Sequence, residues 1–161
     1  MEIKIKRLTP TAQIPKKNFA SDACFDLYLD APDAIYHEWN GGVEIKTAKG
    51  IKIRPNETVM LHTGIAVESP IGYGIAIYAR SGLASKRGLR PANCVGIVDS
   101  ATYRGEVMIA MKNDSSETQI VHHGDRIGQM LVLPVLDVEL VETDKLSETE
   151  RGFGGFGSSG N

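Results

Sequence analysis

Short β-type runs follow one another closely along this chain, each closed by glycine, proline or a small polar turn. That rhythm leaves room for little except an all-β fold. Ile3 and Ile5 alternate with Lys4 and Lys6, a first strand of period two. Ser21 to Leu29 reads as a strand carrying Asp22 and Asp26, and Thr58–Val67, Ile75–Tyr78, Val107–Lys112 and the run ending at Pro134 supply more. Asn40-Gly41 between β-rich flanks is a strong hairpin signal, so residues 31–50 read as a surface hairpin with Trp39 near its tip. The pattern points to an antiparallel sandwich, jelly roll or barrel. One interruption, Arg80 to Leu89, reads as a short helix that Ser81 caps and Gly88 ends.

A chain of 161 residues suits one domain with a real core. We place that domain at residues 1–145 and a glycine-rich arm at 146–161. The net charge of −2 gives no global pull toward nucleic acid or an anionic membrane, so any phosphate site must come from local Arg and Lys. Cys24 and Cys94 form no C-x-x-C pair and are too few for a disulfide framework. With no signal-like or membrane-spanning run, the chain reads as soluble and cytoplasmic.

Residues 93–108 concentrate the chemistry. An apolar run ends in Asp99, a polar turn follows, and Tyr103-Arg104-Gly105 leads into another β run, which reads as a hairpin. Its carboxylate and ring either flank a small ligand or simply serve the turn. Arg80 beside the helix start makes an anion site, since free N–H groups and the dipole favour negative charge there. Asp26 stands between Phe25 and Leu27, where an acid needs water, a partner or a metal-bound water. His122 and His123 are adjacent and point to opposite faces of a strand, so they do not share a metal. The tail from Arg151 to Asn161 cannot bury itself, yet it combines an Arg, aromatic rings and a Ser-Ser pair on a glycine backbone. Such a segment suits a flap over an aromatic, phosphorylated ligand.

Five stretches now line up in order: Ala23-Cys-Phe-Asp26-Leu, Arg80-Ser-Gly-Leu-Ala84, Asn93 through Glu106, Gly124-Asp-Arg-Ile-Gly-Gln129, and Arg151 through Gly160. Together they resemble the trimeric deoxyuridine triphosphatases (dUTPases), which split dUTP to dUMP and pyrophosphate. The resemblance implies a jelly roll or distorted β-barrel, a homotrimer with active sites shared between subunits, and a C-terminal arm that closes over them. It implies Asp99 as the catalytic base, Tyr103 against the deoxyribose, and Asn93 with the main chain around Gly96, Ile97, Val98 and Met108 on the uracil. Arg80, Ser81, Gly82 and Gln129 would hold the phosphates, and Asp26 would hold Mg²⁺ through water. Arg151, Gly157, Ser158 and Ser159 would bind substrate from the arm, with Phe156 covering the uracil.

The chain departs from the family at several points. Three residues, Ser100-Ala101-Thr102, separate Asp99 from Tyr103, where the family usually has two. A bulge at the turn would absorb the extra residue; otherwise Tyr103 is displaced. Cys24-Phe25 stands where Gly-Tyr is common, and Gly128 where Ala is common. The Trp39 hairpin has no inherited role and is a candidate surface for a protein partner. The rival readings are a related dCTP deaminase, and a protein-binding or regulatory module that keeps the fold.

Overall fold

Strand runs divided by turns at such short intervals build sheets from distant parts of the chain. A computed structural model describes residues 1–40 and 42–155, apart from the side chains of Trp39, Asn40, Val43 and Ile45. In chain order the strands are β1 (Lys4–Arg7), β2 (Phe25–Tyr28), β3 (Ile35–Asn40), β4 (Val43–Lys49), β5 (Ile51–Ile53), β6 (Thr58–Glu68) and β7 (Tyr73–Tyr78). The helix α1 (Ser81–Arg87) follows, then β8 (Leu89–Pro91), β9 (Gly96–Val98), β10 (Glu106–Asn113), β11 (Gln119–Val121) and β12 (Arg126–Pro134).

Two antiparallel four-stranded sheets, ordered β1-β6-β10-β8 and β2-β12-β7-β9, carry the fold, with the ribbons β3-β4 and β5-β11 beside them. The sheets are open, so the architecture is of jelly-roll type and the closed-barrel alternative falls away. Period-two burial drives the packing. On β10, Val107, Ile109 and Met111 face inward while Glu106, Met108 and Ala110 face out. These inward residues join Leu27, Leu61, Ile65, Ile75, Ile77, Ile127 and Met130 in one core cluster drawn from both sheets. At Gly128 the two sheets pack closely: a Cβ there would lie 2.5 Å from Ile109 Cδ1, so a larger residue needs the end of the Ile109 side chain to shift.

The hairpin at 31–50 is present, with Asn40 paired to Val43. Ser81 does not cap the helix. Arg80 occupies the N-cap position without a side-chain bond, Ser81 is the first helical residue, and Gly88 ends the helix at φ 64° as expected. The hairpin expected at 93–108 is also corrected, because β9 pairs with β7, whereas β10 pairs with β6 and β8. The segment between β9 and β10 crosses from one sheet to the other, and the two strands splay. Beyond Pro134 the described residues form no strand or helix. Among the described residues no helix is long and apolar enough to cross a membrane.

Candidate active site

The splay of β9 from β10 creates the first cleft. β9 is the edge strand of its sheet, so among the described residues no strand pairs with the outer side of Gly96–Val98, where the Val98 carbonyl accepts Ser100 N–H at 2.8 Å. On the other side, β8 covers only Met111–Asn113 of β10, which leaves the edge around Met108 without a strand. Asn93, Ile97, Val98, Asp99, Tyr103 and Met108 line the resulting cleft of about 330 Å³, together with Met60, Glu106, Val107 and Ala110. Gly96 stands beside this lining rather than in it. Asp99 is exposed. Its carboxylate makes no hydrogen bond or ion pair to the described residues, while its main-chain oxygen accepts the N–H groups of Thr102 at 2.9 Å and Tyr103 at 2.8 Å.

That second bond closes a five-residue turn in which Tyr103 N–H reaches back four positions. Just beyond the turn the register of β10 on β6 shifts between Glu106 and Met108, an irregularity of the kind expected near the extra residue. Arg104 staples the turn, donating from Nη1 to the carbonyls of Ser100 and Tyr103 and from Nη2 to that of Ala101, each at 3.0 Å. Ser100, fully buried, shares a 2.6 Å hydroxyl contact with Ser69 in the β6–β7 turn. Arg104 also pairs with Glu68 at 3.4 Å. Glu68 is held below the usual carboxylate range, first by a hydrogen bond from Lys4, then by the Lys4 charge, with Arg104 contributing less. The Tyr103 hydroxyl donates to the Glu106 carbonyl at 3.2 Å, and the ring lies over Gly105, where a Cβ would collide with it. Glu106 in turn accepts Gly64 N–H at 2.7 Å and pairs with His62 Nδ1 at 2.8 Å.

The second cleft, of about 560 Å³, is lined by Asp26, Arg80, Ser81 and Gln129, with Asn18, Asp22, Ala23, Cys24 and Arg126. β-Sheet register brings these residues together: Gln129 sits opposite both Asp26 on β2 and Tyr78 on β7. Gln129 Nε2 donates to the Ala79 carbonyl at 2.9 Å, next to Arg80. Asp22 serves a turn, accepting Phe19 N–H at 2.8 Å. Asp26 meets two partners, Arg80 Nε at 2.8 Å and Arg126 Nη1 at 3.0 Å, with a side chain only 14% exposed. Gly82 flanks the cleft on open space.

The two clefts share no lining residue. Arg151 lines neither; its Nε donates to the Gly154 carbonyl within its own segment. Phe156, Gly157, Ser158 and Ser159 lie outside the described residues, as does the Trp39 side chain. Sequence reasoning gave no role to Arg126, Arg104 or Ser100. The two arginines sit inside quoted motifs, but the Ser100–Ser69 contact spans 31 positions and leaves no local trace.

A metal ion has little to hold it from protein alone: among the described residues no three His, Cys, Asp or Glu side chains cluster. The cleft that Asp22 and Asp26 line beside Arg80 and Arg126 does fit Mg²⁺, which keeps most of its waters and binds through one or two carboxylates plus substrate phosphates.

A family model described as dUTPase matches residues 36–160. The deoxyuridine 5'-triphosphate nucleotidohydrolase of Hydrogenobaculum sp. (strain Y04AAS1) is 48% identical over 160 residues, covering 99% of each chain. Among solved structures, a mutant dUTPase of Staphylococcus bacteriophage 80alpha with dUpNHpp is 26% identical, with a TM-score of 0.78 and 99% of each chain covered. A mutant dUTPase from phage phi11 of S. aureus, described with a structural Mg(II) ion, shares the fold at a TM-score of 0.71 and 21% identity. It covers 92% of this chain and 100% of its own.

Proposed function

The chain belongs to the dUTPase family and hydrolyses dUTP to dUMP and pyrophosphate, and we propose that it does so with Asp99 as general base. The observation that carries this assignment is the exposed Asp99 carboxylate, without a partner among the described residues, at the rim of the cleft that also holds Tyr103. A carboxylate so placed is available to take a proton from water. In the proposed step the water oxygen bonds to the α-phosphorus, its proton passes to Asp99, and the bridging bond to the β-phosphate breaks with pyrophosphate leaving. Such a positioned base contributes roughly 10²–10⁴-fold; orientation and electrostatic clamping supply the rest.

In this reading the outer edge of β9 and the Met108 region, with Asn93, bind uracil, and Tyr103 packs on the deoxyribose. A site built to hydrogen-bond uracil leaves buried groups unpaired with cytosine and so rejects it strongly. Arg80, Ser81, Gly82 and Gln129 bind the phosphates in the other cleft. Asp26 would hold Mg²⁺ through water, where the ion would neutralise charge on the triphosphate oxygens. In this reading the chains form the trimer typical of the family, in which one subunit's nucleoside cleft meets another's phosphate cleft, two clefts that share no lining residue among the described residues. The arm from 146 would close over the joint, with Arg151, Gly157, Ser158 and Ser159 on the phosphates and Phe156 on the base. Ordering about ten arm residues costs on the order of 10 kcal/mol, so closure should need all three phosphates.

The test is pyrophosphate release from dUTP, dCTP, dTTP and UTP, with and without Mg²⁺, by the native chain and by Asp99→Asn. Release from dUTP alone, stimulated by Mg²⁺ and lost in the variant while analogue binding persists, is expected. Near-normal turnover by Asp99→Asn would overturn the base assignment.

A further inference from the structure

In the cleft around Asp26, which Asp22 also lines, two arginines converge on the one Asp26 carboxylate. Asp26 accepts Arg80 Nε on Oδ1 at 2.8 Å and Arg126 Nη1 on Oδ2 at 3.0 Å. One negative charge is thus divided between two guanidinium groups in a site where the acid is 14% exposed. The two arginines are not equivalent. Arg80 precedes α1 and lies beside Ser81 and Gln129; it gives Asp26 only its Nε, and its terminal nitrogens make no hydrogen bond among the described residues. Arg126 opens β12, its backbone paired to Tyr28, and reaches Asp26 from the strand next to it.

An incoming triphosphate attracts the free fork of Arg80, because planar guanidinium groups match phosphate oxygens. Were Arg80 the only partner of Asp26, that move would strip a mostly buried carboxylate of its counter-charge, which is costly. Arg126 removes this obstacle, since Asp26 keeps a partner on Oδ2 while Oδ1 becomes free. We infer that Arg126 is a positioning residue: it holds Asp26 in place and so releases Arg80 to the phosphates. The inference rests on the reading of this cleft as the triphosphate site. Without Arg126, the carboxylate would keep Arg80 for itself.

Calorimetric titration with a non-hydrolysable dUTP analogue, with divalent metal chelated, tests this without reference to turnover. Arg126→Gln should bind the analogue about 10- to 100-fold more weakly, the size of a lost charge-assisted hydrogen bond, yet bind dUMP as the native protein does. Arg126→Lys should fall between them. Asp26→Asn supplies the decisive background, because there Arg80 has no competing partner. In that background Arg126→Gln should cost less than about twofold. An equal loss in both backgrounds would make Arg126 a direct phosphate ligand and overturn the inference. So would native-like binding by Arg126→Gln. A native protein that bound dUMP but gained nothing from the extra phosphates would overturn the triphosphate reading itself. Thermal melting of each variant identifies a folding defect, and Arg126→Lys then carries the comparison.

Discussion

Tyr103 shows how a single side chain depends on its neighbours' lack of one. Its ring lies over Gly105 and its hydroxyl reaches the Glu106 carbonyl at 3.2 Å, so the ring position requires a residue without a Cβ two places on. Gly105→Ala should push the ring outward, because the far end of the ring is the part that can yield. If Tyr103 excludes a 2′-hydroxyl, cleavage of UTP relative to dUTP should rise roughly tenfold in this variant, the scale of a small misfit in a pocket. Parallel kcat/KM measurements on the two nucleotides check it, and an unchanged ratio would remove Tyr103 from sugar selection. The residue types at this site were legible in the sequence, Asp99, Tyr103 and Arg80 among them. Their partners were less so. Asp26 was recognisable as an acid in need of company, but Arg126 stands 100 positions away, and only the β2–β12 register joins them.

Elements were legible where their signals are local. The β3–β4 hairpin announced itself through Asn-Gly, and the end of α1 through Gly88 at φ 64°. The pairing of β9 and β10 could not be read the same way. A turn between two β runs suggests a hairpin, but here Arg104 fastens the turn to its own carbonyls while β9 pairs with β7 and β10 with β6. Each strand finds a better partner elsewhere, and the gap between them becomes a cleft. Packing between the sheets is just as invisible in sequence, and Gly128 makes it measurable. A Cβ there would sit 2.5 Å from Ile109 Cδ1, so Gly128→Ala overpacks the core and should cost about 1–3 kcal/mol. Adding Ile109→Val removes the offending methyl group and should recover part of that loss. Denaturant unfolding of the two variants decides the matter; if Gly128→Ala alone proved as stable as the native chain, the contact would not limit packing.

At the scale of the whole molecule, the arrangement of the clefts makes a prediction about assembly. Asp99 and Arg80 line separate clefts in one chain. A reaction that needs both is served if they meet across a subunit boundary. Chains carrying Asp99→Asn and chains carrying Arg80→Gln should each be inactive as pure assemblies. Unfolded together in equal amounts and refolded, they form mixed oligomers. A site that takes Asp99 from one chain and Arg80 from another then receives both native residues in about a quarter of cases, by independent choice at each position of a symmetric ring. Recovery of pyrophosphate release to that level is the expected result. If each site belonged to one chain, every site in the mixture would still carry one damaged residue and no activity would return. The same mixture made without refolding is the control, because activity should appear only as fast as subunits exchange.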